Sequence, residues 1–563
     1  MRSTLFKQIP IAVALSLALG ACGGGGGSSD TTTPTTPTTP TTPTMPTDGA
    51  ITISAAAASA DSRLACFKGT ASAECGLRIY QIMVESFVDG DSSADYNVGY
   101  GSSHHKGDLQ GIINSLDYIK STGSNAIWLT PIFESIPKAG QDIWATRLDA
   151  TGYFTSNYFK VDPKFGTLDQ AKTLVAEAHK RGLYVFFDGV FGHHKDNVVA
   201  SPTGKTPTGG ANPVSYPGSY DFYAEVATYW IKELKIDGWR LDQAYQVPVD
   251  QWAKLRAAVQ QASASVTYTN ASGATVHPLG YMVGEIWKGE SQITASGYGS
   301  AAAPGLLSNF DFPSRYRVVQ TLAVEESGAG KKPASTLKEV YSTVQAAYPD
   351  HAMPNLMLTN HDLVRFGDLL QRGGIAQPSD DAYWNRHKLA FSFMAAYSGP
   401  ITLYYGDEIG QEVAGFAAKQ PDSTCAAVGL CDDHVSRDSA VIDGVATTVG
   451  GPVGALNARQ SDLKSYVSKL WALRDSNPAL AFGSRTHIYA DSTLYVDRKD
   501  AGTNRVLVIL NTGSSEVTIK LDSKAISGVT TDLSDLLASS TISAADGIYT
   551  IKVPALSARF LKF

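Results

Sequence analysis

The sequence predicts an α/β protein: a (β/α)8 TIM-type barrel with a short protrusion after its third strand, followed by a C-terminal antiparallel β-sandwich. Three observations lead there. From about residue 77 short apolar runs alternate with amphipathic helical stretches, the pattern of parallel strands joined by helical crossovers. Eight such runs occur before the pattern breaks, the number that closes a barrel. From about residue 482 period-two segments separated by Gly, Asn and Ser turns take over, which is the pattern of antiparallel sheet.

The N-terminus, "MRSTLFKQIPIAVALSLALGAC", has basic residues ahead of an apolar run ending in small residues, as a secretory signal does. That run is too short to span a bilayer. Residues 1–21 are therefore expected to be a signal peptide. "LGAC" resembles the bacterial lipoprotein processing box, which would make Cys22 the acylated first residue of an exported protein held on the outer membrane or cell surface; secretion with cleavage nearby is the alternative. Residues 22–49, rich in Gly, Thr and Pro and nearly without apolar side chains, cannot pack and form a tether.

Residues 50–481 are assigned to the barrel. The strand candidates, in order, are "LRIYQIMV", "NAIWLT", "LYVFFD", "DGWRLD", "GYMVGE", "LLSNFDF", "PNLMLTNHD" and "PITLYYGDE". Helical stretches such as "LQGIINSLDYIKSTG" and "TLDQAKTLVAEAHKRG" lie between them. Between strand three and the helix "DFYAEVATYWIKELK", residues of about 192–220 form the protrusion. Residues 482–563 supply the sandwich through "TLYVDRK", "NRVLVILNT", "EVTIKL", "GIYTIKVP" and "ARFLKF".

A net charge of -7 offers nothing to a phosphate backbone and disfavours nucleic-acid binding. A monomer is expected. Four cysteines remain after Cys22, in neighbouring pairs, so an oxidising compartment favours the disulfides Cys66–Cys75 and Cys425–Cys431. A zinc site competes, but neither pair has the short gap of thiolate zinc motifs.

Several strand candidates end in a carboxylate: Asp188, Asp242, Glu285 and Asp362. Parallel strands open onto one face, so these acids converge on the barrel mouth. A single acid after a strand is commonly a helix cap, but four of them describe a site. Arg240 and Asp242, two apart on a strand, point the same way, and the guanidinium keeps the aspartate ionised. Glu285, desolvated and near another carboxylate, is expected to hold its proton. An ionised and a protonated carboxylate flanking one bond suit glycoside hydrolysis, with retention if they lie near 5 Å apart.

The ordered segments "IYQIMVESFVDGD", "TGYFTSNYFKVDPKFGT", "DGVFGH", "GWRLD", "GEIW", "LTNHD" and "LYYGDEIG" resemble the α-amylase family, glycoside hydrolase family thirteen. The resemblance implies an α-glucan substrate, with Asp242 as nucleophile, Glu285 as acid/base and Asp362 as the third carboxylate gripping sugar hydroxyls. It implies that Arg240 supports Asp242, that His193 and His361 bond the sugar, that Tyr153 stacks on it and that Asp188 braces the site. Trp287, directly after the acid strand, either stacks on a sugar or belongs to the core, and it is not counted among the site residues. A transglycosylase or isomerase, or a non-catalytic glucan-binding protein on the same scaffold, are the alternatives.

Two metal expectations follow. "DGDSSAD" and "KGDLQGI" offer Asp89, Asp91, Asp95 and Asp108 for calcium in the first βα loop, against a solvated acidic turn. The interdomain calcium of many family members takes an asparagine and a histidine carbonyl where this chain has Gly192 and Gln246, so that ion is expected to be absent. Tyr245, beside Gln246, stands where a charged acceptor-side contact is usual, and either stacks on glucose or packs beneath the loop.

Overall fold

The computed structural model describes residues 49–57, 60–68, 72–99, 101–413, 436–445 and 455–563. Cys22, Cys425 and Cys431 lie outside them. Eight parallel strands form the central sheet: β1 Arg78–Ile82, β2 Ala126–Leu129, β3 Tyr184–Gly189, β4 Gly238–Leu241, β5 Tyr281–Gly284, β6 Ser308–Asn309, β7 Leu356–Met357 and β8 Ile401–Tyr404. Neighbours pair in sequence order, β8 pairs with β1, and a parallel bridge from Phe310 to Asn355 joins β6 to β7 and closes the barrel. All eight strand candidates are present, although β6 and β7 are two residues each.

The strands are buried on both faces, which is why they read as continuous apolar runs. One face of each packs on the helices: Trp239 and Leu241 of β4 join the large outer core with Leu116, Val226 and Trp252. The other faces inward, where Ile79, Trp128, Phe186, Tyr281, Val283, Phe310 and Met357 fill the barrel. Helices begin where the sequence supplies caps. Asp108 accepts from the Gly111 N–H at the start of α1 (Leu109–Ser121), and Thr167 and Gln170 form a reciprocal capping box on the helix Leu168–Lys180, each cap being worth about 1 kcal/mol.

Gly238 opens β4 at φ +145°, where a Cβ would stand 1.8 Å from the Tyr281 carbonyl oxygen. Only glycine lets β4 approach β5 here.

The C-terminal unit stacks two sheets around Ile488, Val496, Leu507, Ile519, Tyr549 and Ile551. One expectation needs correcting. Residues from 50 onward were assigned to the barrel, yet Ile51–Ile53 pairs parallel with Val517–Asp522 and Ala60–Asp61 pairs with Ser484–Ala490. Both C-terminal sheets thus take a strand from the N-terminal side, and Ile53 is part of their core. The Cys66–Cys75 disulfide is formed just beyond these strands.

Candidate active site

Register places the site. Asp188 on β3 lies opposite Arg240 on β4, and Arg240 lies opposite Val283 on β5. The ladder continues past the strands: the Asp242 N–H donates to the Gly189 carbonyl and the Glu285 N–H to that of Leu241. Asp242 and Glu285 therefore leave adjacent strands at one level.

Arg240 is fully buried. Its Nη1 donates to Asp188 at 2.9 Å and to Asp242 Oδ1 at 2.9 Å, while Nη2 stands 3.9 Å from Glu285 Oε2. The guanidinium also sits 4.9 Å from the Trp128 ring centre and 5.7 Å from that of Tyr153. A buried cation needs such partners, since desolvation without them costs several kcal/mol per ion. Asp188 accepts from Tyr153 Oη at 2.8 Å and Trp128 Nε1 at 3.2 Å; it braces Arg240.

Burial pushes Glu285 up to about 7, helped by the Asp242 and Asp362 carboxylates and opposed by Arg240. The Gln243 N–H donates to Glu285 Oε2 at 3.1 Å. Gln243 adopts φ +41°, ψ +49°, a left-handed conformation that costs a non-glycine residue about 1–3 kcal/mol. That turn aims its N–H at the carboxylate.

Asp362 behaves oppositely. Burial alone would raise its carboxyl, but His361, Arg437 and Arg240 hold it below the usual range. Arg437 Nη2 donates to Asp362 Oδ1 at 2.8 Å and its Nε donates to the His361 carbonyl. His361 is pushed down to about 3 by burial. Its Nε2 lies 3.2 Å from Asp362 Oδ2, Gln81 Nε2 lies 2.7 Å from its Nδ1, and its ring lies parallel to Tyr153, 5.3 Å between centres. His193 Nε2 is 3.8 Å from Asp242 Oδ2.

Asp188, Tyr153, His193, Arg240, Asp242, Glu285, His361 and Asp362 are thus brought into one cluster. Tyr245 stands at its rim, 43% exposed, with its hydroxyl donating to Gln243 Oε1. Trp287, open on sequence grounds between sugar contact and core, is 41% exposed, flat on Phe312 and bonded to the Tyr316 hydroxyl. Gln81, Trp128, Gln243 and Arg437 were missed. Their partners lie far off in sequence or depend on a backbone twist, so no local pattern marks them.

Of the expected calcium ligands, Asp89, Asp95 and Asp108 bring carboxylate oxygens within 4.8 Å of one another. Oδ1 of Asp89 and of Asp95 are buried without a hydrogen-bond partner, which fits a hard cation. Asp91 is not part of this group: its carboxylate accepts from Ser93 and Gln170 and closes its own turn.

Comparison with known proteins agrees with this geometry. The family model described as "Alpha amylase, catalytic domain" matches residues 81–202 and 219–441. A cyclomaltodextrinase of Thermoanaerobacter pseudethanolicus is 27% identical over 485 residues, covering 79% of this chain and 71% of that protein. Among the first curated relatives, the share of their length that the chain spans runs from 56% to 71%. Crystal structures of AmyP superpose with a TM-score of 0.84. The complex with maltotriose is 59% identical over 87% of this chain and 97% of that one. The complex with maltose is 58% identical over 87% and 96%.

Proposed function

Because this chain belongs to the α-amylase family of glycoside hydrolases, we propose that it cleaves α-glucosidic bonds in starch or maltooligosaccharides with retention, through a covalent glucosyl-enzyme. The observation that carries this is the split between two carboxylates on adjacent strands. Asp242 accepts a hydrogen bond from the buried Arg240 guanidinium at 2.9 Å, whereas Glu285 comes no nearer to that guanidinium than 3.9 Å and is raised to about 7. In the first step Glu285 gives its proton to the leaving glycosidic oxygen as Asp242 attacks the anomeric carbon. In the second, Glu285 takes a proton from water, which displaces Asp242. Asp362, held ionised by Arg437, grips sugar hydroxyls.

The test is Glu285→Gln assayed on maltoheptaose. Loss of at least about 10²-fold in kcat is expected from removing a general acid/base, with the α-anomer released by the native enzyme. Undiminished cleavage would show the assignment of Glu285 wrong, whereas a native protein that cleaves no glucan would leave a binding protein as the better reading.

Transfer to a sugar acceptor is the second reading, favoured by Tyr245 and Trp287 exposed beside Glu285. Products longer than the substrate, or rearranged ones, from maltoheptaose, maltose or sucrose would establish it.

Calcium in the first loop is held, in this proposal, by Asp89, Asp95 and Asp108; the ion would tie that loop to the start of α1. A chelator that left the melting temperature unchanged would count against it. The interdomain calcium is absent, and Gln246 packs against Gly192 in its place. Cys22 is acylated and anchors the exported protein; a Cys22→Ser variant is expected to leave the membrane fraction.

A further inference from the structure

His193 meets the sugar only if its ring is held. Its backbone carbonyl is fixed by the hydroxyls of Tyr158 at 2.7 Å and Tyr223 at 3.3 Å, which leaves the ring's rotation and tautomer undetermined. Both are settled by Gln246, whose Oε1 lies 2.9 Å from His193 Nδ1. The Gln246 amide nitrogen faces two oxygens, Asn212 Oδ1 at 3.0 Å and Gln243 Oε1 at 3.2 Å. An NH2 group fits between two carbonyl oxygens and a carbonyl does not. The Gln246 oxygen must therefore face the histidine, and His193 Nδ1 must carry the hydrogen. In the neutral ring Nε2, which at 3.8 Å from Asp242 Oδ2 is beyond hydrogen-bond reach, then presents a lone pair.

Room for this amide exists only because residue 192 is glycine. A Cβ there would stand 2.2 Å from Gln246 Oε1 and 2.5 Å from its Cβ. The same segment is tied to the protrusion, since the Val214 N–H donates to the Gly192 carbonyl and the His194 N–H to that of Ala211. Gln246 thus joins the loop after β3, the protrusion and the turn after β4.

His361 is arranged the other way. Its Nε2 faces the Asp362 carboxylate, which only accepts, so Nε2 carries the hydrogen. Its Nδ1 accepts from the Gln81 amide.

We infer that Gln246 is a positioning residue that locks His193 as the Nδ1–H tautomer, so that the two histidines face the same sugar with opposite hydrogen-bond polarity: His193 accepts from a hydroxyl and His361 donates to one. The inference rests on the glucan-cleaving function proposed above for what touches Nε2, but the tautomer itself does not.

The experiment separates the two. Full-length protein labelled with [15N]histidine is examined by 15N–1H correlation spectra, which distinguish Nδ1–H from Nε2–H rings; His193 and His361 are assigned by His193→Phe and His361→Phe. Native His193 is expected as Nδ1–H and His361 as Nε2–H; the Nε2–H form at His193 overturns the proposal. Gln246→Met is expected to lower kcat on maltotriose about tenfold, a loss typical of a slightly misplaced contact group, and to give His193 a mixed tautomer. Gln246→Glu keeps an acceptor for Nδ1–H and is expected to keep the His193 Nδ1–H signal that Gln246→Met loses. Gly192→Ala is expected to match Gln246→Met, and Gly192→Ala combined with Gln246→Ala to lose less than the two single losses together. Unchanged kcat and an unchanged Nδ1–H signal in Gln246→Met would also overturn the proposal. Should Gln246→Met fail to fold, the native spectrum and Gln246→Glu decide alone. A native enzyme that cleaves no glucan yet shows the expected tautomers defeats the functional reading and not the amide lock.

Discussion

Glu285 is buried and Asp362 half-buried, and their neighbours drive the two carboxylates apart. Among the described residues Glu285 is close to a cation only through Arg240 Nη2 at 3.9 Å, and it is raised to about 7. Since the general acid must be protonated for the first step, kcat/KM on maltotriose is expected to fall as pH rises through about 7. An alkaline limb at the ordinary glutamate value, near 4.5, would contradict this. Asp362 depends on Arg437, whose charged hydrogen bond is worth about 1.5–3 kcal/mol. Arg437→Ala is expected to raise KM about tenfold or more, and to move the acid limb upward because Asp362 then gives up its charge at higher pH. A variant with native KM and an unmoved acid limb would show the pairing to be idle. The acids were readable in the sequence because each ends an apolar run. Arg437 was not, because it reaches Asp362 from a loop far along the chain, and no spacing rule connects them.

At the scale of elements, the β3–β4–β5 ledge carries the chemistry, and its geometry hangs on Gly238. With the Tyr281 carbonyl oxygen 1.8 Å from any added Cβ and a φ that L side chains rarely adopt, neither the glycine nor its neighbour can give way. Gly238→Ala is expected to cost more than about 3 kcal/mol, in the range of the severe backbone and overpacking effects, and to lower the melting temperature along with activity. A melting point within a degree of native would refute that. The strands themselves were legible from apolar runs of the right length. The short ones, β6 and β7, show why boundaries were not: in a barrel the closing contact can be one bridge, Phe310 to Asn355, and such a bridge leaves almost no trace in composition. Ile51–Ile53 was missed for a related reason. Three apolar-flanked residues followed by an alanine-rich run carry no period, and only a partner strand from the far end of the chain makes them a strand.

Across the whole molecule, the C-terminal unit is joined to the barrel by a buried polar cluster. Lys499, on the strand Leu494–Ala501, donates to Ser398 Oγ and lies 4.9 Å from the Phe67 ring centre. Asp497, Arg485, Arg474, Asp500 and Tyr341 surround it. Burial pushes Lys499 down to about 7 from an ordinary 10.5. Because the native state then binds fewer protons than the unfolded one, stability rises with pH between about 7 and 10.5, and the full penalty applies below about 7. Lys499→Met is expected to stabilise by about 1–4 kcal/mol below pH 7, with the gain shrinking toward pH 10. A gain that is constant with pH would show that packing, and not the charge, is responsible.

The pairing of Ile51–Ile53 with Val517–Asp522 also sets an order of events. A chain emerging N-terminus first delivers its opening strand long before the strand that receives it has been made. That strand stays unpaired, an open edge of the kind that invites association with other chains, until nearly the last residues have arrived. Completion of the native state is therefore tied to completion of the chain: a product truncated before Val517 leaves Ile51–Ile53 without its docking strand, and the cell's quality control would meet such a product with an adhesive end exposed.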